Sequence, residues 1–306
     1  MKKFLLFIFI FSGVLTAQKV TVTKIKQITT PEQGKFYHPV GNYDDTKILF
    51  SSDNYKGLWI FDNITGKINK INDYISAGYN ADFTKDGEVI SRNDNFLNNR
   101  RFISVMKYNP VTKTETTLVE NLRGVSEIKL IRGEAVAYSK EKQVVTEFMN
   151  NKLNKIDVDK IPILLVENSN LVLYKGGKRK VLNPLGEGNY IWASVSPNGS
   201  RLLFTLVGVG SFVTDLNGTV LTELGYAHFP QWSKDGNWIT FMKDYDDGEK
   251  VIDSELYVAS ADGKTIVNIT NTKDVYEMYP QWSKIGNAIY CNSTEGIIYK
   301  IELKFN

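Results

Sequence analysis

The chain has 306 residues and a formal net charge of +3. Its basic residues are scattered, which excludes the concentrated basic face that a nucleic-acid groove needs. A single cysteine excludes an internal disulfide, and plentiful Tyr, Phe, Val, Ile and Thr without a long helically spaced segment exclude a helical protein, so the expectation is all-β.

Met1-Lys2-Lys3, the apolar run from Phe4 to Phe11 and the small residues ending at Ala17 have the order of a secretory leader cleaved after Ala17. The run is shorter than the roughly 20 residues of a membrane span, and no cysteine lies near it to take a lipid. Residues 1–17 are expected to be removed, leaving residues 18–306 as one domain, periplasmic or secreted, with no transmembrane span after cleavage. Cys291, inside a predicted strand, reads as a small buried apolar residue.

Within residues 18–30, the stretch from Val20 to Ile28 alternates as a strand but has no hairpin partner beside it. The other end of the chain, from Ile297 to Leu303, likewise stops without a following strand. Pairing the two would close a ring and remove exposed sheet edges.

Between them, over residues 35–304, one unit recurs. Phe229 to Phe241 (FPQWSKDGNWITF) returns as Tyr279 to Cys291 (YPQWSKIGNAIYC), with further copies from Ile191 to Phe204, Tyr79 to Ser91 and Tyr37 to Phe50. Each reads as a strand, a turn and a second alternating strand; the Tyr37 copy has Asp45 where the turn glycine would stand. Outer strand pairs follow these hairpins, one of them from Val144 to Ile156. Six or seven four-stranded blades result, and the count is ambiguous between Gly133 and Ser169. Gly176-Gly177 reads as a hairpin turn.

The pattern from Pro230 to Phe241 followed by Leu256 to Gly263 resembles the blade repeat of TolB-type β-propellers and of the propellers in prolyl oligopeptidase and dipeptidyl peptidase relatives. The resemblance is strong over the two C-terminal repeats and poor from Arg123 to Asn183. It implies the propeller fold and, through TolB-type proteins, envelope partners. Those proteins carry a separate N-terminal domain, whereas about one strand is expected between Ala17 and the first blade here.

In a propeller, the residues just before the Pro of each inner strand gather at one mouth of the channel. Alignment puts His38, Asn80, Trp192, Phe229 and Tyr279 at one level and Tyr37, Tyr79, Ile191, His228 and Met278 at the level before. Tyr37, His38, Tyr79, Trp192, His228 and Tyr279 are the candidate ligand-binding residues, since aromatic walls with a few polar groups suit a pocket. The rival reading is packing between blades. His38 and His228 lack a third His or Cys, so neither metal binding nor catalysis is expected of them. The stretch from Lys243 to Ser254 is read as an acidic loop in which Asp244, Asp246 and Asp247 are a weak alternative metal site; its counterpart from Arg92 to Arg101 is basic.

No Gly-x-Ser-x-Gly elbow is found, and no α/β domain follows the repeats. The sequence is therefore read as a non-enzymatic exported propeller without cofactor, expected to be a monomer, binding an envelope protein or a polysaccharide. The alternative is a polysaccharide-active lyase or hydrolase using His38 or His228 in the mouth.

Overall fold

The structure, a computed structural model, describes residues 20–125, 127–148 and 160–305. The expected leader, and residues 149–156 of the expected outer pair from Val144 to Ile156, lie outside them.

Seven antiparallel sheets follow one another along the chain, at residues 37–72, 82–122, 128–148, 163–181, 190–225, 228–268 and 277–305. They are numbered here as blades 1 to 7. Among the described residues five have four strands, while blades 3 and 4 have three. Val20–Gln27 pairs antiparallel with Ile298–Phe305, from Val20 opposite Phe305 to Gln27 opposite Tyr299, and so supplies the outermost strand of blade 7. The ring is closed as the unpartnered ends of the sequence require.

The core is divided into seven apolar clusters, one at each junction between neighbouring blades. At the closing junction Phe36, Ile48, Phe50 and Phe61 of the first blade region meet Tyr290 and Ile298 of blade 7. Cys291 is fully buried between blades 6 and 7, and burial pushes its thiol pKa up. Alternation along each strand explains this plan, because both faces of a blade pack against a neighbour.

The inner strands begin at one end of the ring, the entrance, and turn back at the other, the exit. The exit turns are self-contained. In blade 6, Ser233 Oγ donates to Asp235 Oδ1 (2.6 Å) and accepts from the Trp238 amide (3.0 Å), while the Asn237 amide donates to Asp235 Oδ1 (3.0 Å). Gly236 takes the positive φ of this turn at 73°, and in blade 1 Asp45 takes it at 60°.

One expectation needs correction. The stretches from Lys243 to Ser254 and from Arg92 to Arg101 are not loops. Trp238–Asp246 pairs with Val251–Ser260, and Val89–Leu97 with Arg100–Asn109, as long hairpins with short tips at the entrance end. Alternation continues through the charged residues, so polarity alone misplaced the strand ends. In blade 4 the strand Ile163–Glu167 does not begin at the entrance. A Cβ on Gly199 would lie 3.4 Å from the Pro162 ring, as one on Gly236 would lie 3.2 Å from Pro197, which puts Pro162 at the exit. At the other end of this strand the Val166 amide donates to Glu127 Oε2 (2.9 Å) at the entrance. Ile163–Glu167 therefore runs as a second strand, and among the described residues no strand lies inside it in blade 4.

Candidate functional site

The motif proline explains how the entrance is built. In blade 1, Tyr37 lies opposite Ser51 and Val40 opposite Leu49, so His38 and Pro39 together face Phe50. The same two-against-one bulge places Trp192-Ala193, Phe229-Pro230 and Tyr279-Pro280 opposite single residues in blades 5, 6 and 7. A bulge leaves an amide outside the ladder, which proline tolerates because it has none.

The residue before it takes the left-handed conformation: φ is 56° at His38, 50° at Trp192, 49° at Phe229 and 53° at Tyr279, and Asn80 at the same level of blade 2 has 57°. Glycine adopts this conformation freely, and a bulky L-residue is strained by it. Neighbouring blades hold two of these residues by the backbone: the His38 amide donates to Asn292 Oδ1 (3.0 Å) and the Tyr279 amide to Met242 Sδ (3.3 Å).

The rings form one arc. Tyr79 meets Tyr55 at 5.4 Å between centroids, Tyr55 stacks on His38 at 4.0 Å, and His38 lies 4.4 Å from Tyr279. Tyr279 meets Phe229 edge-on at 5.4 Å, and Phe229 lies 6.0 Å from Trp192. Trp192 is 5.4 Å from His228, which packs against Tyr226 at 4.3 Å, and Tyr226 stacks on Tyr245. Below the arc is a channel cavity of about 600 Å³, walled by strands of all seven blades.

Of the six residues expected to bind, His38, Tyr79, Trp192 and Tyr279 line the cavity. His228 joins the arc just outside it, and the Tyr37 hydroxyl is spent on the Thr294 carbonyl (3.2 Å). Tyr55, Tyr226 and Tyr245 were missed. Tyr226 lies two residues before His228, just ahead of the strand His228–Trp232, and packs on its ring.

Burial sets the charge state of this wall. It pushes the His38 imidazole down to about 4, against smaller opposing effects of Asp53, so the ring is neutral at neutral pH. It also raises the phenols of Tyr55, Tyr79 and Tyr279. The Nδ1 atom of His38 and the hydroxyl of Ser194 are buried without a hydrogen-bond partner.

His228 Nδ1 lies 2.8 Å from Asp244 Oδ1. Asp246 and Asp247 accept amides of their own hairpin tip, from Gly248 (2.9 Å) and from Glu249 and Lys250 (3.0 Å each). The three carboxylates thus face different partners. Among the described residues no group of three or more His, Cys, Asp or Glu is placed to share a metal ion. On the basic side, Arg92 is buried, forks onto Asp94 with two contacts of 2.7 Å and lies under Tyr79 at 5.1 Å. It supports the arc, and Arg100 and Arg101 are the exposed charges there. No helix of the described residues is long and apolar enough to cross a membrane.

No family model matches the chain, and no curated protein matches it. Solved structures do. A chain in the crystal structure of the mitotic checkpoint complex is similar with a TM-score of 0.61 at 9% identity, covering 99% of this chain and 98% of that one. An oligogalacturonate lyase in complex with manganese is similar at 0.48 and 14% identity, covering 89% and 78%. TolB from Acinetobacter baumannii is similar at 0.48 and 16% identity, covering 78% of this chain and 55% of that one, so this chain spans about half its length. In all, 977 solved chains match, which marks a widely used scaffold. What these likenesses share with the seven sheets above is the fold alone.

Proposed function

We propose that the protein is an exported, non-enzymatic binding module of the bacterial cell envelope that takes a protein or glycan ligand at the entrance of its ring. One observation carries this reading: four blades hold His38, Trp192, Phe229 and Tyr279 in the left-handed position of a bulge. Each such residue costs about 1 kcal/mol or more relative to glycine. The return on that strain is an aromatic ring turned to the channel mouth. Export rests on the leader-like residues 1–17.

Glycan and peptide arrays probed with the whole protein test the proposal. Trp192→Ala and Tyr279→Ala should each lower affinity for the bound member by about tenfold or more, as central aromatic anchors do. Turnover of a polysaccharide or peptide at about 1 per second or faster would replace it.

A polysaccharide-active enzyme is the second reading, favoured by the His228–Asp244 contact of 2.8 Å, since a carboxylate that orients an imidazole suits a general base. Replacing His38 and His228 by Ala tests their part in it: turnover lost in the His228 variant supports this reading, and an activity that survives both changes does not use these side chains.

A further inference from the structure

The charges around the cavity narrow the ligand class, on the premise that the entrance is a binding site at all. Glu127 lines the wall at blade 3, but its Oε1 is 3.2 Å from Lys129 Nζ and its Oε2 accepts the Val166 amide. Lys129 also donates to the Ala193 carbonyl. Asp82, further down, is 2.6 Å from Lys284 Nζ. Arg132 is exposed at the exit end, beyond the rings. The charges of the two long hairpins, Arg100 and Arg101 on one and Asp246, Asp247 and Glu249 on the other, stand on tips outside the cavity wall.

Among the described residues, what remains for a ligand on the cavity wall is mainly uncharged, with the Asp53 carboxylate near His38 and Asp244 against His228 at the rim. The rings present faces, with Tyr79 39% exposed. Between them stand the amides of Gln231 and Gln281 and that of Asn80, whose Nδ2 also donates to the Ile128 carbonyl (3.3 Å), and the unpartnered Ser194 hydroxyl and His38 Nδ1 mark wall atoms whose hydrogen bonds the protein leaves unmade. Amides and hydroxyls both donate and accept, which matches sugar hydroxyls, while aromatic faces match the C–H faces of a pyranose ring. An anion would enter a wall whose lining cations, among the described residues, are Lys129, already paired, and Arg132 at the exit, at a desolvation cost little offsets; an ammonium would be drawn only to the ring faces, the case that the peptide probes below test. The volume lies within the roughly 300–1,000 Å³ usual for small-ligand sites, so the occupant is a short segment and not a folded domain.

We infer that the entrance binds an uncharged glycan segment, stacked on Trp192, Phe229 and Tyr279 and hydrogen-bonded by neutral side chains.

The test titrates the whole protein, by tryptophan fluorescence and calorimetry, with three probe sets: neutral oligosaccharides (glucans, mannans, xylans, galactans and N-acetylglucosamine oligomers), uronate and sulfated oligosaccharides, and unmodified peptides. At least one neutral oligosaccharide should bind. Its affinity should fall about tenfold or more in Trp192→Ala and change less than about twofold between low and high salt, because no ion pair forms. Tyr279→Ala and Trp192→Gly, checked by circular dichroism, repeat the measurement should Trp192→Ala misfold. Trp192-dependent binding of charged sugars or of peptides overturns the glycan inference and keeps the entrance as the site. Binding that ignores both Trp192 and Tyr279 overturns both readings, and no binding by any neutral oligosaccharide overturns the inference.

Discussion

The two ends of the ring make the same conformational demand and meet it differently. At the exit, the positive-φ turn positions are taken by Gly87, Gly199, Gly236 and Gly286, with Asp45 in blade 1, and the turn side chains cap their own amides. At the entrance, positive φ falls on His38, Trp192, Phe229 and Tyr279. A chain that uses glycine correctly at one end has no stereochemical reason to avoid it at the other. The difference is one of backbone strain, and it is the ground for the binding proposal at the entrance, since strained residues collect at functional sites.

The largest effect expected lies at the exit. The Asp45 side chain is 6% exposed and pairs with Lys300 Nζ at 2.6 Å while accepting from Ser283 Oγ at 2.9 Å, so it ties blade 1 to the closing blade. Lys300→Met leaves that carboxylate without its cation and should cost about 3–5 kcal/mol in denaturant unfolding. Adding Asp45→Asn should restore most of the loss, because asparagine tolerates the 60° φ and carries no charge. A Lys300→Met protein as stable as wild type would remove the exit from its role here.

A smaller effect belongs to the entrance. Glu277 begins the inner strand of blade 7, is 3% exposed and has no cation beside it; Oε1 accepts from Thr272 (2.6 Å) and Oε2 has no partner. Burial, with Glu255 adding to it against the Thr272 and Thr270 hydroxyls, pushes its pKa up to about 7 from 4.5. A carboxyl raised in the folded state is held protonated, so its stabilisation is full below about pH 4.5 and is lost as pH rises through 7. Wild type should lose about 2–3 kcal/mol over that window, and Glu277→Gln should flatten the curve, Glu255 and Cys291 being the other titratable groups close by. An unchanged pH profile in the Gln variant would assign the slope elsewhere.

The fold was legible where local chemistry repeats. Pro230 and Pro280 with their Trp-Ser turns marked the inner hairpins, and the bare ends at Val20 and Ile298 marked the closure, because an unpaired strand must find an edge. Asp45 was readable as a stand-in for glycine and takes the same conformation. The count stayed between six and seven because blades 3 and 4 lack the repeat that marks the other inner hairpins: Ile128–Ile131 pairs with Ala135–Lys140 in an ordinary ladder, and Ile163–Glu167 runs in the second-strand sense. At the site, alignment on the turns brought the right level of residues together. The left-handed backbone there was not legible, since sequence preference argues against it for Trp, Phe and Tyr. Tyr55 escaped because it arrives from a hairpin tip, itself at a φ of 61°.

The smallest effect is the most direct measure of how the two ends differ. At Gly236, φ is 73° and an added Cβ would meet the Pro197 ring at 3.2 Å, so Gly236→Ala should cost about 1–2 kcal/mol. If the entrance obeys the same backbone rule, Trp192→Gly should be more stable than Trp192→Ala by about 1 kcal/mol, and Phe229→Gly than Phe229→Ala likewise, although glycine has the more disordered unfolded state. Comparing the two small residues cancels the loss of the ring and leaves the backbone. Leu130, on the unbulged inner strand of blade 3, supplies the opposite sign: there Leu130→Gly should be less stable than Leu130→Ala by about 0.5–1 kcal/mol, the ordinary penalty of glycine in a strand. Reversed signs between Trp192 and Leu130 in chemical unfolding would establish that the aromatic residues sit in positions suited to glycine; equal signs would show an unstrained entrance, and the case for a function there would lose its main support.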